Sequence, residues 1–199
     1  QVVTQEWGVG LIRSWNSAGW IDLPARVGDK IARLIGASSD SVVATDTTSI
    51  NLYKVMSAAL TIAAHDSPER RRVVSERSNF PTDLYIVQAL AHERGFELLL
   101  TDTPDQIETH LAAGKVAVMM LTQVDYKSGR LHDMAALTRH AHEHGALAIW
   151  DLAHTAGALP VALKSLIDQG LVATDPGERI MALRGHFFAL FGVGVALGV

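Results

Sequence analysis

The chain has 199 residues, 48% hydrophobic and 19% charged, the make-up of one soluble globular domain long enough to bury a core. A net charge of -4 and a pI near 6.1 argue against a nucleic-acid partner, which calls for a clustered basic face. Cysteine is absent, which excludes disulfides and thiolate metal sites and fits a reducing cytoplasm. No signal peptide is read, and the longest apolar run, Phe187 to Val199, is too short for a membrane span and is expected to be core.

The chain opens without a methionine, in what reads as the middle of an element, so a longer protein is expected. Leu11 to Trp20 places two tryptophans among Ser, Asn and Gly and reads as a loop. Asp22 is expected to cap a helix that has Pro24 in its first turn and stops at Gly36. Val42 to Thr45 is a short β-branched strand, followed by Asp46 and three hydroxyl residues, Thr47, Thr48 and Ser49, and then a long helical pattern. One hydroxyl suffices to cap a helix; three in a row lean towards an anion held by the free N–H groups and the dipole there. The basic run Arg70, Arg71 and Arg72 is read as a solvated loop.

Val73 to Glu76 is a second strand. The helix after it opens at Pro81 and Thr82 and closes at Gly95. Phe80, just before the proline, has two readings: a staple packed on the first helical turn, or an aromatic face on which a planar ring stacks. Glu97 to Leu100 is a strand, Asp105 to Ala113 a helix and Val116 to Leu121 a buried strand that leads into Thr122 and a polar loop. A helix from about Asp133 to His144 follows. His140 and His144 share its face, but no Glu completes a zinc-protease pattern, so these histidines are read as solvated and no metal site is expected.

Ala146 to Trp150 has the length and character of a buried parallel strand, and ligands of open α/β sheets collect at the carboxyl ends of such strands. Asp151 stands at that end with His154 three residues on. The pair either caps a turn and fills core, or holds a protonated ring nitrogen by a charge-assisted bond. Strand and helix alternate at least four times, which predicts an α/β fold in three layers, α/β/α, around a mainly parallel sheet with right-handed crossovers. After Pro160 the rhythm changes: Lys164 to Gly170 reads as a helix, Asp175 to Glu178 as a turn, and the remainder as an apolar tail. The glycines of that tail lack a dinucleotide fingerprint.

Taken together, Thr48 and Ser49, Phe80 to Asp83, Thr122, and Asp151 with His154 resemble the cofactor pocket of fold-type I pyridoxal-phosphate enzymes, and among them the kynureninase family. The resemblance runs from about Glu6 to Pro160 through EWGVGLIRSWNSAGW, TDTTSINL, SNFPTDLY, LTQVDYKSGRLHDM and IWDLAHTAGALPV. It implies a homodimeric cytoplasmic enzyme of tryptophan catabolism. Such an enzyme hydrolyses L-kynurenine, or its 3-hydroxy form, to anthranilate or its 3-hydroxy form and L-alanine. It further implies that Thr48 and Ser49 hold the cofactor phosphate, that Phe80 stacks on the pyridine ring, that Pro81, Thr82, Asp83 and Thr122 line the pocket, and that Asp151, beside His154, pairs with the ring nitrogen. Trp15 and Asn16 are candidates for the aromatic end of the substrate, and Arg184 is the nearest candidate for its carboxylate.

The chain departs from the family in one respect. The family carries a Tyr-Lys pair about two dozen residues beyond the DLAH motif, whose lysine binds the cofactor covalently, and no Tyr-Lys pair follows Asp151 here. Lys127 and Lys164 are not expected to replace it. Residues 1–163 are therefore read as an incomplete large cofactor-binding domain and 164–199 as the remnant of a C-terminal small domain. Strands implied beside the Ala146 run would be missing, and an uncovered edge there would invite pairing with another chain. The resemblance leaves two alternatives: a cysteine desulfurase or aminotransferase of the same fold, or a non-catalytic remnant.

Overall fold

A computed structural model describes residues 1–39, 41–168, 187–191 and 195–197. A π-helix, Val2–Gly10, and a short 3-10 turn, Leu11–Arg13, lead into α1 (Ser14–Ser17) and α2 (Leu23–Ile35). Then come β1 (Val42–Ala44), α3 (Thr48–Asp66), β2 (Arg72–Glu76), α4 (Pro81–Glu93), β3 (Glu97–Thr101), α5 (Pro104–Ala112) and β4 (Val116–Thr122). The described chain continues through α6 (Met134–Glu143), β5 (Leu147–Asp151), α7 (Leu163–Asp168), β6 (Phe187–Phe191) and β7 (Val195–Leu197).

The strands form one sheet in the order β3, β2, β4, β5, β6, β7, β1. β2 through β6 run parallel to their neighbours, and β7 is antiparallel to both β6 and β1. Two reversals make β1 parallel to β6, so its carboxyl end lies on the same edge as those of β2, β4 and β5.

The strands read as continuous apolar runs because both faces of the sheet are covered. Alternate residues of β5 divide between two cores: Ala148 and Trp150 join the core with α2, α5, α6 and α7, while Leu147 and Ile149 join the one with α3 and α4. This is the predicted three-layer fold. Each large side chain so buried contributes roughly 1.5–3 kcal/mol. Trp150, fully buried, also donates its indole N–H to Thr138 Oγ1 at 2.9 Å, so its polar atom is not stranded. Gly28 lets α2 lie against β1: a Cβ there would meet Val42 O at 1.9 Å. Gly36, at φ 64°, closes α2 in the left-handed conformation that glycine adopts without strain.

Several expectations need correction. Leu11 to Ser17 is helical, not loop, because its backbone bonds stay local, with Ala18 N donating to Ser14 O at 3.1 Å. Asp22 occupies the N-cap position of α2 without a side-chain capping bond, since its backbone is helical (φ -92°, ψ -6°) rather than extended and Pro24 leaves no N–H at the second helical position. The arginine run is engaged: Arg70 donates to His144 O, Arg71 lies over the Phe96 ring at 4.9 Å, and Arg72 opens β2 and pairs with Glu97 at 2.9 Å. His140 and His144 are half-buried and in ring contact at 4.4 Å. The edge beside β5 is covered, because Phe187–Phe191 pairs with it in parallel register from Ala148 with Phe187 to Asp151 with Leu190. Arg184 lies outside the described residues. No described helix is long and apolar enough to cross a membrane.

Candidate ring-and-anion site on the carboxyl edge

β3 lies on one side of β2, whereas β4, β5 and β6 follow in order on the other, so the strand order reverses between β2 and β4. Such a switch point opens a crevice at the carboxyl ends of the strands. Its walls here are the turn after β2, which carries Phe80, and the end of β4, which carries Thr122. Asp151, the last residue of β5, stands in register with Thr122, and both are buried.

Asp83 reaches the same place from the first turn of α4, where Pro81 starts the helix without needing an N–H. Asp83 and Asp151 are only 2% and 3% exposed and meet side chain to side chain. Burial, and then the neighbouring Asp151 carboxylate, push Asp83 up to about 8. Burial also raises Asp151, against the pull of the Ala153 N–H, which donates to its Oδ1 at 2.8 Å, and of His154. Asp83 therefore keeps its proton at neutral pH, against the Asp151 carboxyl. Asp83 Oδ2 is buried and receives no N–H from the described protein. Asp151 thus caps its turn, as the plainer reading predicts, but His154 is exposed and does not fill core as that reading had it.

Beside this pair sit three rings. Phe80 meets Tyr126 edge to face at 5.2 Å and His154 at 6.1 Å, and Tyr126 stacks on His154 at 5.9 Å. Phe80 is held by its own N–H, which donates to Asn79 Oδ1 at 2.7 Å, and it contacts these loop rings. Tyr126 escapes a sequence reading, because its partners lie far away along the chain and the loop around it shows no periodicity. Thr82 and Pro81 are exposed on the first turn of α4.

The N-terminus of α3 opens on the same edge. Thr47 takes the cap, its side chain accepting from Ile50 N at 3.3 Å, which leaves Thr48 and Ser49 half-buried in the first turn. α3 packs across β4 through β7. The described partners of Trp15 and Asn16 are local: Trp15 O accepts from Ile21 N and Asn16 O from Gly19 N, each at 3.1 Å.

Chemically, a buried pair of carboxyls can take an N–H donor, the rings a planar partner, and a hydroxyl-rich helix N-terminus an anion. One molecule with all three features would satisfy the whole edge.

Among sequences, a kynureninase of Pseudomonas fluorescens is 59% identical over 164 residues, covering 81% of this chain and 39% of that protein. A kynureninase of Burkholderia mallei (strain SAVP1) is 52% identical over 174 residues, covering 86% of this chain and 42% of its own length. The chain thus spans about two fifths of these relatives. Among solved structures, the apo cysteine desulfurase of Thermococcus onnurineus NA1 superposes with a TM-score of 0.63 at 20% identity, over 90% of this chain and 44% of that one. DndA from Streptomyces lividans does so at 0.61 and 17%, over 98% and 52%. These likenesses confirm the α/β fold. The model of the aminotransferase class-V family matches residues 20–168, and the chain belongs to that family.

Proposed function

We propose that this chain carries the cofactor face of a kynureninase, a pyridoxal-phosphate enzyme that hydrolyses L-kynurenine or 3-hydroxykynurenine to the corresponding anthranilate and L-alanine. The observation that carries the reading is the buried Asp83 and Asp151 pair beside the rings of Phe80 and His154 at the switch point. The identity to two kynureninases supports the choice of reaction over the desulfurases, which share the fold at 20% identity or less.

In this reading Asp151 keeps the ring nitrogen protonated and Asp83, as the neutral acid, steadies the Asp151 carboxylate. Phe80 offers its face to the pyridine, with Pro81 and Thr82 shaping the turn beneath it, and Thr122 and His154 border the ring. Thr48 and Ser49, with the first N–H groups of α3, seat the phosphate. Bound there, pyridoxal phosphate supplies an electron sink for negative charge at the substrate α carbon. Trp15 and Asn16 for the aromatic end and Arg184 for the carboxylate are part of the same proposal, as is the division at residues 163 and 164. A homodimer in the cytoplasm, serving tryptophan catabolism and NAD biosynthesis, completes it. The apolar exposure of Val3, Trp7, Ile12 and Trp15 near the N-terminus supports the dimer.

The test is equilibrium dialysis of the chain against pyridoxal phosphate, followed by borohydride reduction, intact mass and an assay for anthranilate. Retention of one cofactor that Phe80→Leu weakens several-fold is expected. Retention without a reduced adduct or product would make this a cofactor-binding remnant. No retention would end the reading.

A further inference from the structure

Residues 124–131 form a small hairpin, with Val124 and Leu131 bridged, Asp125 N donating to Arg130 O and His132 N to Gln123 O, each at 2.9 Å. Its tip is wound around Asp125, whose Oδ1 accepts from Lys127 N, Ser128 N and Ser128 Oγ at 2.8 to 3.0 Å. Tyr126 rides on this tip. One foot is tied to the site directly, since Gln123 N donates to Asp151 O at 3.0 Å.

The other ties run to the end of β2. Glu76, only 2% exposed, accepts from Arg130 through one oxygen and from His132 Nε2, at 2.8 Å, through the other. Ser78, two residues on, bonds to Asp125. Both partners of Glu76 stand on the strand of the hairpin that returns from the tip or next to its end. A carboxylate gripped by two side chains of that strand, one of them the Arg130 guanidinium, fixes the strand's direction, which a single bond would leave free to pivot.

We propose that Tyr126 is a further wall of the ring slot and that Glu76, acting through Arg130 and His132, is the positioning residue that holds it against Phe80 and His154. This rests on the function proposed above for the slot itself. With centroids 5.2, 5.9 and 6.1 Å apart the three rings close on one another, so a planar guest enters by displacing one of them and then stacks against the others. The orientation of Tyr126 therefore sets how well the guest is held, and Glu76 sets that orientation.

Two measurements on the full chain test this. Amide hydrogen exchange of the chain without cofactor should show Glu76→Gln, and independently Arg130→Met, speeding exchange at Asp125, Gly129 and His132 by roughly tenfold or more, with β4 and β5 unchanged. Arg130 is partly exposed, so its variant keeps the test open if Glu76→Gln fails to fold. In dialysis against pyridoxal phosphate, Tyr126→Leu should weaken binding by about three- to tenfold. Glu76→Gln should weaken it comparably, and the double variant no further than Tyr126→Leu. Unchanged exchange in the hairpin would overturn the clamp, and additive losses would overturn its action through Tyr126. Unaltered binding by Tyr126→Leu would overturn the wall. A parent chain that retains no pyridoxal phosphate would sink the cofactor reading and the wall with it, while the exchange result still separates that failure from failure of the clamp.

Discussion

Two buried acidic clusters share the carboxyl edge of the sheet and are resolved in opposite ways. Glu76 is surrounded by donors, with Arg130 and His132 each taking one of its oxygens. Asp83 and Asp151, equally buried, face each other, with Asp83 holding its proton at neutral pH and its Oδ2 receiving no N–H. The first carboxylate, the brace, is met by donors from within the described protein, although the buried Arg130 Nε makes no hydrogen bond there. The second sets two carboxyls against each other instead, the arrangement that the proposed function puts to use.

Removing the brace should have the largest effect. Glu76→Ala would leave two donors facing a cavity and is expected to destabilise the chain by about 3 kcal/mol, the low end for a broken buried pair because Arg130 is partly exposed, as read from urea midpoints. Asp83→Asn should act in the other direction. A carboxyl whose folded pKa is raised to about 8 binds its proton more tightly folded than unfolded, so stability is full below its ordinary range and falls as pH rises towards 8. The Asn variant should therefore gain on the parent chain as pH climbs from 4 to 8, and its stability should vary less over that window. Equal slopes would mean that Asp83 does not hold its proton. The smallest effect is expected at Ser78→Ala. The Ser78 hydrogen bond, with the Ser128 and Lys127 donors, holds Asp125 well below the usual carboxylate range, a contribution present above that range and lost on acidification. Loss of Ser78 should lower stability at pH 7 by about 1 kcal/mol and less at pH 3.

The strands and helices were legible because each apolar run ends in a glycine, a proline or a polar cluster, and burial on both faces left the strands without alternation. Asp151 was legible as a charge at the end of such a run. Asp83 was not, since an acid in the first turn of a helix is ordinary; only the resemblance marked it. Glu76 and Tyr126 left no local trace, because a strand-end glutamate and a loop tyrosine acquire their roles from residues more than 25 positions away. The tail was legible as apolar, but its pairing partners, β5 and β1, lie far back in the chain, and no local pattern names a partner.

That tail has a mechanical consequence. Among the described residues β1 is hydrogen-bonded into the sheet through β7 alone, so the spacing between the first turn of α3 and the Asp151 end of β5 is gauged by the width of three strand intervals, about 14 Å. The final strands act as a spacer block between the two ends of the crevice, so residues that touch no ligand would set the length of ligand the crevice can grip.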